Sequence, residues 1–501
     1  MWKKRTVLIV LSLLMFKAQA NEPESLKSSI DSFMHTVMDD FNITSASSIA
    51  VVNGEGVLYQ NTFGYADVAN KVNATNDTLF YTASMTKPIF ALTVLAALER
   101  SRYTLDHTLD KMFPTITFSP SLHAQNITIR DLLSHKSGLD DDYLAMAVST
   151  SGLHDIDKKM QMLAAVFANE RAPLGKFEYS NLGYNIVSIW YEKTFNKTWQ
   201  AGIKSSVFEP LEMTRSTAKM SDALTNDWLV AKPYSFFNKQ INQSLYLRKQ
   251  DNTMHAAGGV ISTSTDMAKF LAIQLKGQED QNNSALPLKR IQKSQQKIAE
   301  VDSKRGDFNR TGYALGWYTG QYKNKLTYHH FGSFDGFRPH MSFIPSENIG
   351  LVILNNEGDL NDKLTDIIAD LIYGKLLNDE TTNKRVAKRL SELKTTAFSY
   401  REKAIKHEDS YKNKSWNLSL PLSSYTGTYS HPLAGNVNVS HNNGNITVVW
   451  GNLTSTATAH NKLDAMRVKL RPSKAQLIRF KHNNTHVNQL VYGGTEFKRN
   501  N

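Results

Sequence analysis

Residues 81–90 read YTASMTKPIF, and the fold turns on how Ser84 and Lys87 within that stretch are read. On a helix, positions i and i+3 share a face, so the lysine amine reaches the serine hydroxyl. A serine hydroxyl is a weak nucleophile until a base takes its proton. Lysine serves as that base only if its pKa falls from ~10.4 towards ~7–8, a cost of about 4 kcal/mol supplied by burial and nearby positive charge. A helix starting here also aims backbone N–H groups at a developing oxyanion. Pro88 suits a first turn, although the residue before a proline, here Lys87, avoids the helical region. The Ser-x-x-Lys spacing is weak alone, since it recurs at Ser216/Lys219, Ser294/Lys297 and Ser391/Lys394 in polar stretches. Ser84 differs in its company. Residues 88–100, PIFALTVLAALER, are apolar almost all round and predict a buried central helix.

Upstream, Leu26 to Phe41 carries helix-spaced apolar residues (Ile30, Phe33, Met34, Val37, Met38). Residues 47–67, SSIAVVNGEGVLYQNTFGYAD, predict a hairpin around Asn53-Gly54-Glu55-Gly56. Downstream, the region to about residue 250 reads as helical with loops. Strand signals return after Gly258, at GYALGWYTG (312–320), at KLTYHHF (325–331) and at HMSFIPSENIGLVILNN (340–356), the last a hairpin around Pro345-Ser346-Glu347-Asn348. Leu360, Leu364, Ile367, Ile368, Leu371 and Ile372 then form one helical stripe. Strands at both ends with helices between predict a single α+β domain over 21–378. Residues 379–417 read as a basic, weakly helical linker. From 418 to 501, alternating apolar and polar residues with Asn-Gly turns predict a small antiparallel β-barrel or sandwich.

Four further blocks follow the serine in order: ITIRDLLSHKSGL (127–139), PLGKFEYSNLGYNIVSIWYEKTFNKTW (173–199), AAGGVISTSTDMAKFL (256–271) and HHFGSFDGF (329–337). Together with ASMTKPIFALTVLAALE (83–99), they resemble the serine β-lactamase and penicillin-binding-protein hydrolases, in the class C β-lactamase, D-aminopeptidase and esterase branch. The resemblance covers roughly residues 25–378. It implies a β-lactamase/transpeptidase-like fold, an antiparallel sheet flanked by helices with a helical subdomain, and a small barrel of the kind often appended to this branch.

The resemblance also implies roles. Ser84 matches the nucleophile and Lys87 the lysine that activates it. Tyr179 matches the tyrosine of Tyr-x-Asn, a general base or acid whose phenol needs a pKa lowered by nearby cations. Asn181 would hold the Lys87 amine or a substrate amide. Tyr-x-Asn also recurs at Tyr59, Tyr322 and Tyr411, without the family's surroundings. His330-Phe331-Gly332-Ser333 matches the third motif and holds the chain's one His-x-Gly. The oxyanion hole would use the amides of Ser84 and Ser333. In β-lactamases and penicillin-binding proteins that motif usually begins with lysine, which helps bind the substrate carboxylate. Here His330 stands instead, neutral or partly charged near pH 7. His329 next door would point to the opposite face of a strand. Asp140, Asp141 and Asp142 read as a solvated acidic turn, with a cleft-rim role for amine-bearing substrates as the alternative.

These residues point to an exported serine hydrolase that forms an acyl-enzyme on a D-amino-acid peptide, a cell-wall peptide or a small ester. The alternatives are β-lactamase or penicillin-binding activity, and a non-catalytic sensor on the same fold. No cofactor is implied. No metal is expected either, since the fifteen histidines show no ligand spacing such as His-Glu-x-x-His. The absence of a Gly-x-Ser-x-Gly elbow counts against an α/β-hydrolase.

The bulk properties fit. The chain has 501 residues, 41% hydrophobic and 21% charged, which suits a folded, multi-domain protein. Lys3, Lys4 and Arg5 precede an apolar run from Thr6 to Phe16, and Ala18-Gln19-Ala20 offers a cleavage site. This predicts a secretory signal over residues 1–20 and a bacterial periplasmic or secreted protein, the rival being an uncleaved anchor. With no cysteine, such a protein has no disulfides. The net charge is +12, of which Thr381 to Trp416 supplies +6, from ten Lys or Arg against four Asp or Glu. That excess reads as a solvated surface, or as contact with a cell wall or another anionic surface. Nothing points to nucleic acid.

Overall fold

The computed structural model describes residues 25–140, 144–276, 285–442, 444–483 and 485–500. The expected signal peptide and two of the acidic-turn residues, Asp141 and Asp142, lie outside these. Among the described residues, no helix is long and apolar enough to cross a membrane.

Helix α1 spans Leu26–Phe41. Ser25 caps it by accepting from the Ser28 N–H, and Asn42 ends it in the left-handed conformation. Strands β1 (Ser47–Val52) and β2 (Val57–Phe63) form the expected hairpin, whose Asn53 side chain accepts from the Glu55 and Gly56 amides at 2.9 Å each. The buried helix behind Ser84 is α2 (Thr86–Glu99), and the helix after Asn181 is α3 (Leu182–Phe195). Next come α4 (Ser264–Lys276), β3 (Ala299–Arg305), β4 (Phe308–Tyr313), β5 (Tyr318–Tyr322), β6 (Lys325–Phe331), β7 (His340–Ile344) and β8 (Ile349–Asn355). The helical stripe after residue 360 is α5 (Asn361–Leu376).

The eight strands form one antiparallel sheet in the order β2-β1-β8-β7-β6-β5-β4-β3. Strand β1 pairs with β8 from Ser47↔Asn355 to Val52↔Gly350, so the two ends of the domain meet inside the sheet. Both strands are wholly buried, and their period of two divides two cores. Ile49, Val51, Leu351 and Ile353 join α1 and α5 on one face, while Ala50, Val52, Val352 and Leu354 join α2, α3 and α4 on the other. The sheet thus presents β6, with its His-x-Gly end, to the helical side that carries Ser84.

The basic stretch after residue 378 is mostly one helix, α6 (Thr382–Asp409). It buries Val386, Leu390 and Ala397, and much of its charge is neutralised within the chain. Arg385 Nε lies 2.8 Å from Asp370 Oδ2, Arg389 Nη1 is 3.1 Å from the same oxygen, and Lys394 pairs with Asp40 at 2.6 Å. These pairs leave a smaller free basic surface than the raw charge excess suggests.

The C-terminal strands are β9 (Gly427–His431), β10 (Gly435–Asn442), β11 (Asn445–Trp450), β12 (Leu453–Thr456), β13 (Thr458–Ala459), β14 (Ala465–Arg471), β15 (Lys474–His482), β16 (Val487–Tyr492) and β17 (Thr495–Arg499). Their order, β12-β11-β10-β9-β17-β16-β15-β14-β13, makes a nine-stranded antiparallel barrel. It is nearly closed, and the Lys469 amide on β14 donates to Ser455 Oγ on β12 at 2.8 Å. Tyr425, Tyr429, Trp450 and Phe497 fill its interior.

Candidate active site

Ser84 sits in a short 3₁₀ turn, Ala83–Met85, that runs directly into α2. Pro88 falls in the first α-helical turn, where an N–H has no intrahelical acceptor, so Lys87 stays helical without losing a hydrogen bond. Ala83 has φ 47°, a left-handed backbone that a side-chain-bearing residue adopts only under constraint. The constraint comes from residues 257–260. The Thr82 amide and hydroxyl both donate to Val260 O, at 3.0 and 2.8 Å, and the Val260 amide donates to Thr86 Oγ1 at 3.0 Å.

Lys87 is 0% exposed. Its Nζ lies 2.7 Å from Asn181 Oδ1, 2.7 Å from Ala257 O and 3.2 Å from Ser84 Oγ. The Tyr179 and Tyr184 rings flank it at 4.9 and 5.4 Å. Burial holds its pKa well below the ordinary lysine value, and none of these three hydrogen-bond partners is a carboxylate. A neutral amine has two N–H bonds and one lone pair. Asn181 and Ala257 take the two hydrogens, which leaves the lone pair to accept the Ser84 O–H.

The Tyr179 phenol interacts with Ser84, and its ring lies 4.9 Å from Lys87 Nζ. Its pKa is pushed up by burial and by the neighbouring Tyr318, with Ser84 and Arg310 opposing only in part. This corrects the expectation of a cation-lowered phenol: Tyr179 keeps its proton, which suits a donor or relay and leaves Lys87 as the base.

His330 is buried at the end of β6, with its Nδ1–H donating to Phe331 O (2.8 Å) and its Nε2 accepting from the Tyr313 hydroxyl (3.3 Å). Burial above all holds it well below the ordinary histidine value, so the imidazole is neutral. His329 faces the opposite side, among Phe308 and Arg310. Gly332 is needed for close approach, because a Cβ there would sit 2.6 Å from Thr82 O. Ser333, the next residue, is exposed. Among the described residues, neither the Ser84 nor the Ser333 amide donates to a protein acceptor. Asp140 pairs with Phe167 in a short bridge, and its carboxylate accepts from Asn169 Nδ2 at 3.3 Å.

The sequence profile of the Beta-lactamase family matches residues 30–374. The chain belongs to the Beta-lactamase family. Protein flp of Staphylococcus aureus (strain COL) is 26% identical over 333 residues, 65% of this chain and 62% of that protein. The chain thus spans less than two thirds of this relative's length. The octameric penicillin-binding protein homologue from Pyrococcus abyssi superposes with a TM-score of 0.59 at 20% identity, covering 93% of this chain and 98% of that one. The D-amino acid amidase from Ochrobactrum anthropi SV3, solved with D-phenylalanine, gives 0.57 at 21% identity over 70% of this chain and 100% of that one. At these identities the two likenesses establish the fold.

In this Beta-lactamase-family chain the structure brings Ser84, Lys87, Tyr179, Asn181 and His330 together, sets Gly332 against Thr82, and adds other side chains. His135 is buried, its ring 4.4 Å from that of Tyr179, and its Nδ1 accepts from the Ser180 amide at 3.2 Å. Burial above all holds its pKa well below the ordinary histidine value. It belongs to the block 127–139, where a lone histidine was a visible signal without an assigned role. Tyr313 and Tyr318 close the same aromatic wall, with ring centroids 4.8 Å apart. Among the described residues no cluster of three or more His, Cys, Asp or Glu could hold a metal ion. A separate surface cavity, lined by Phe208, Met213, Asp222 and Trp228, includes none of these side chains.

Proposed function

We propose that this protein is a serine hydrolase that cleaves an amide or ester through an acyl-enzyme, with D-amino-acid peptides, cell-wall peptides and small esters as its substrate class. The observation that carries the reading is the buried Lys87 Nζ, 3.2 Å from Ser84 Oγ and held by the Asn181 and Ala257 oxygens at 2.7 Å, with burial lowering its pKa.

Ser84 Oγ attacks the carbonyl carbon as its proton passes to Lys87 Nζ. The carbonyl oxygen takes the negative charge and is held by the Ser84 and Ser333 amides, each worth ~2.7–4 kcal/mol in the transition state. Tyr179 stands next to Ser84 to hand a proton to the departing amine or alkoxide, and is reloaded from the Lys87 ammonium. Water then enters on the same path in reverse and releases the acid. The amidase neighbour supports an amide substrate, and the leader-like N-terminus supports export.

A penicillin-binding reading is the second one, supported by the Pyrococcus neighbour and opposed by the neutral His330 where a carboxylate-binding lysine was expected. The sensor reading is opposed by the assembled Ser84, Lys87 and Asn181 geometry. Wild type and Ser84→Ala are treated with a fluorophosphonate and with a fluorescent penicillin, and the labelled peptide is found by mass. Fluorophosphonate on Ser84 with little penicillin label is the expected result. No label on wild type, or equal label on the variant, sinks the hydrolase reading.

A further inference from the structure

We infer that the C-terminal barrel is a working part of this site, its 471–474 turn acting through Asp335 to position the Ser333 amide. The inference rests on the hydrolase reading above.

The loop from β6 to β7 begins with the Gly332 amide donating to Pro339 O at 2.8 Å. Phe334 and Phe337 then exchange backbone hydrogen bonds at 3.1 and 2.9 Å, which leaves Asp335 and Gly336 at the tip. Gly336 has φ 82°, and a Cβ on it would fall 2.2 Å from Pro233 Cβ, so the tip is wedged. The Phe334 and Phe337 rings lie 5.0 and 6.0 Å from Tyr81, three residues before Ser84. Movement of the tip is therefore felt on both sides of the oxyanion hole, at Ser333 directly and at Ser84 through Tyr81.

The Asp335 side chain is fully buried, yet every hydrogen bond its carboxylate accepts among the described residues comes from the barrel. Arg471 Nε donates at 3.0 Å, the Ser473 amide at 3.2 Å, and the Ser473 hydroxyl completes the set. The Tyr246 hydroxyl donates to Leu470 O beside them. The buried Lys249 amine, its pKa lowered by burial to about 7, lies 4.3 Å from the centre of the Phe334 ring and 5.1 Å from that of Tyr81. Lys249 adds a charge interaction from the hydrolase side, but a buried carboxylate whose hydrogen-bond donors all sit in the barrel keeps them only while the barrel is docked. Without Arg471 the loop's better option is to turn Asp335 out to water, which moves Phe334 and the Ser333 amide with it. The barrel also docks away from this loop, where the Asn452 amide donates to Ser151 O at 2.8 Å and its side chain reaches Asn252 at 3.2 Å.

Arg471 and Ser473 are thus positioning residues, tested in the full-length protein with a p-nitrophenyl ester. Arg471→Ala and Asp335→Asn should each lower kcat tenfold or more with KM within threefold, and the double variant should lose no more than either single one. Arg471→Lys should recover at least a third of kcat, Ser473→Ala should lose a few-fold, and Asn452→Ala should match wild type. Ser473→Ala keeps the ion pair and serves where Arg471→Ala fails to fold. Wild-type kcat within twofold in Arg471→Ala and Ser473→Ala overturns the inference, as does an equal loss in Asn452→Ala. Absence of Ser84 labelling on wild type overturns instead the hydrolase reading beneath it.

Discussion

Lys87 Nζ and Asn181 Oδ1 lie 2.7 Å apart, and that contact decides which way the amine's lone pair faces. The base must be neutral to accept the Ser84 proton, so activity falls as pH drops through the Lys87 pKa. Asn181→Asp places a carboxylate where the amide oxygen was, favours the ammonium and raises that pKa. The acid limb of kcat/KM should move up by about one unit or more, with roughly tenfold less activity at its midpoint. A pH profile from 5 to 10 on a p-nitrophenyl ester checks this. A profile that superimposes on wild type would remove Lys87 from the role of base.

Tyr179 is expected to matter in proportion to the leaving group's need for a proton. Burial keeps the phenol protonated, so it donates. A departing aniline requires that proton, whereas p-nitrophenolate leaves without it. Tyr179→Phe should lose ~10²–10⁴ in kcat on a D-amino-acid p-nitroanilide and clearly less on the matching p-nitrophenyl ester. Equal losses on both would mean that the phenol only orients Ser84.

Five buried histidines make the fold acid-sensitive. His135, His255, His329, His330 and His340 all have pKa values well below the ordinary 6.5, each chiefly because of burial. As pH falls below ~6.5 the unfolded chain binds these protons and the native protein does not, so each costs about 1.4 kcal/mol per pH unit. Two buried acids oppose this. Glu357, pushed up to about 7, and Asp366, pushed up to about 6, take protons in the native state first. The net loss is roughly 4 kcal/mol per unit between pH 6 and 5. Thermal unfolding followed by circular dichroism should show Tm falling on the order of 5 °C or more from pH 7 to 5.5. His340→Gln, away from Ser84, should flatten the slope. A flat Tm would mean that the histidines are not buried neutral.

Strong periodicity made much of this architecture readable. Helices α1 and α5 follow their apolar stripes, and the two hairpins follow their turn residues. Strand β3 was not, because AEVDSKR has mostly exposed side chains and no alternation to see. Helix α6 looked weak because its only buried apolar residues are Val386, Leu390 and Ala397, while the partners of its charges lie elsewhere in the chain. The seven candidate residues stand out in the sequence as ordered motifs. The direction of the Tyr179 shift was not, since burial is a property of the assembled wall of Tyr313, Tyr318 and His135. Asp335 and Arg471 stand 136 positions apart, with no local pattern to join them.

Asp370 ties α6 to the Beta-lactamase-family domain. Its side chain is 0% exposed, accepts from Arg385 Nε and Nη2 at 2.8 and 2.9 Å, and takes the Tyr322 hydroxyl at 2.6 Å. Removing the negative charge takes the shared buried carboxylate from Arg385 and Arg389, which then keep only Asp379 and Asp307 at the surface. Asp370→Asn should destabilise by about 3–5 kcal/mol in urea unfolding, with kcat of the folded protein unchanged. A loss under 1 kcal/mol would show that α6 is held by its apolar face instead.

His330→Lys tests the substrate class from the opposite side to Asn181→Asp. The imidazole is neutral and within electrostatic reach of Lys87. A lysine there adds a cation to the cleft and disfavours the Lys87 ammonium, so the acid limb should move to lower pH. The same cation offers a substrate carboxylate the partner that His330 cannot. Labelling by fluorescent penicillin should therefore rise tenfold or more, about 1.4 kcal/mol of added recognition, while p-nitrophenyl ester turnover changes little. Burying a flexible ammonium among Tyr179, Tyr313 and Tyr318 lowers stability, so labelling is compared below the variant's own Tm. If penicillin labelling stays at the wild-type level while the acid limb shifts as expected, the cation has been placed correctly. Cleft shape, and not the missing charge, then keeps β-lactams out.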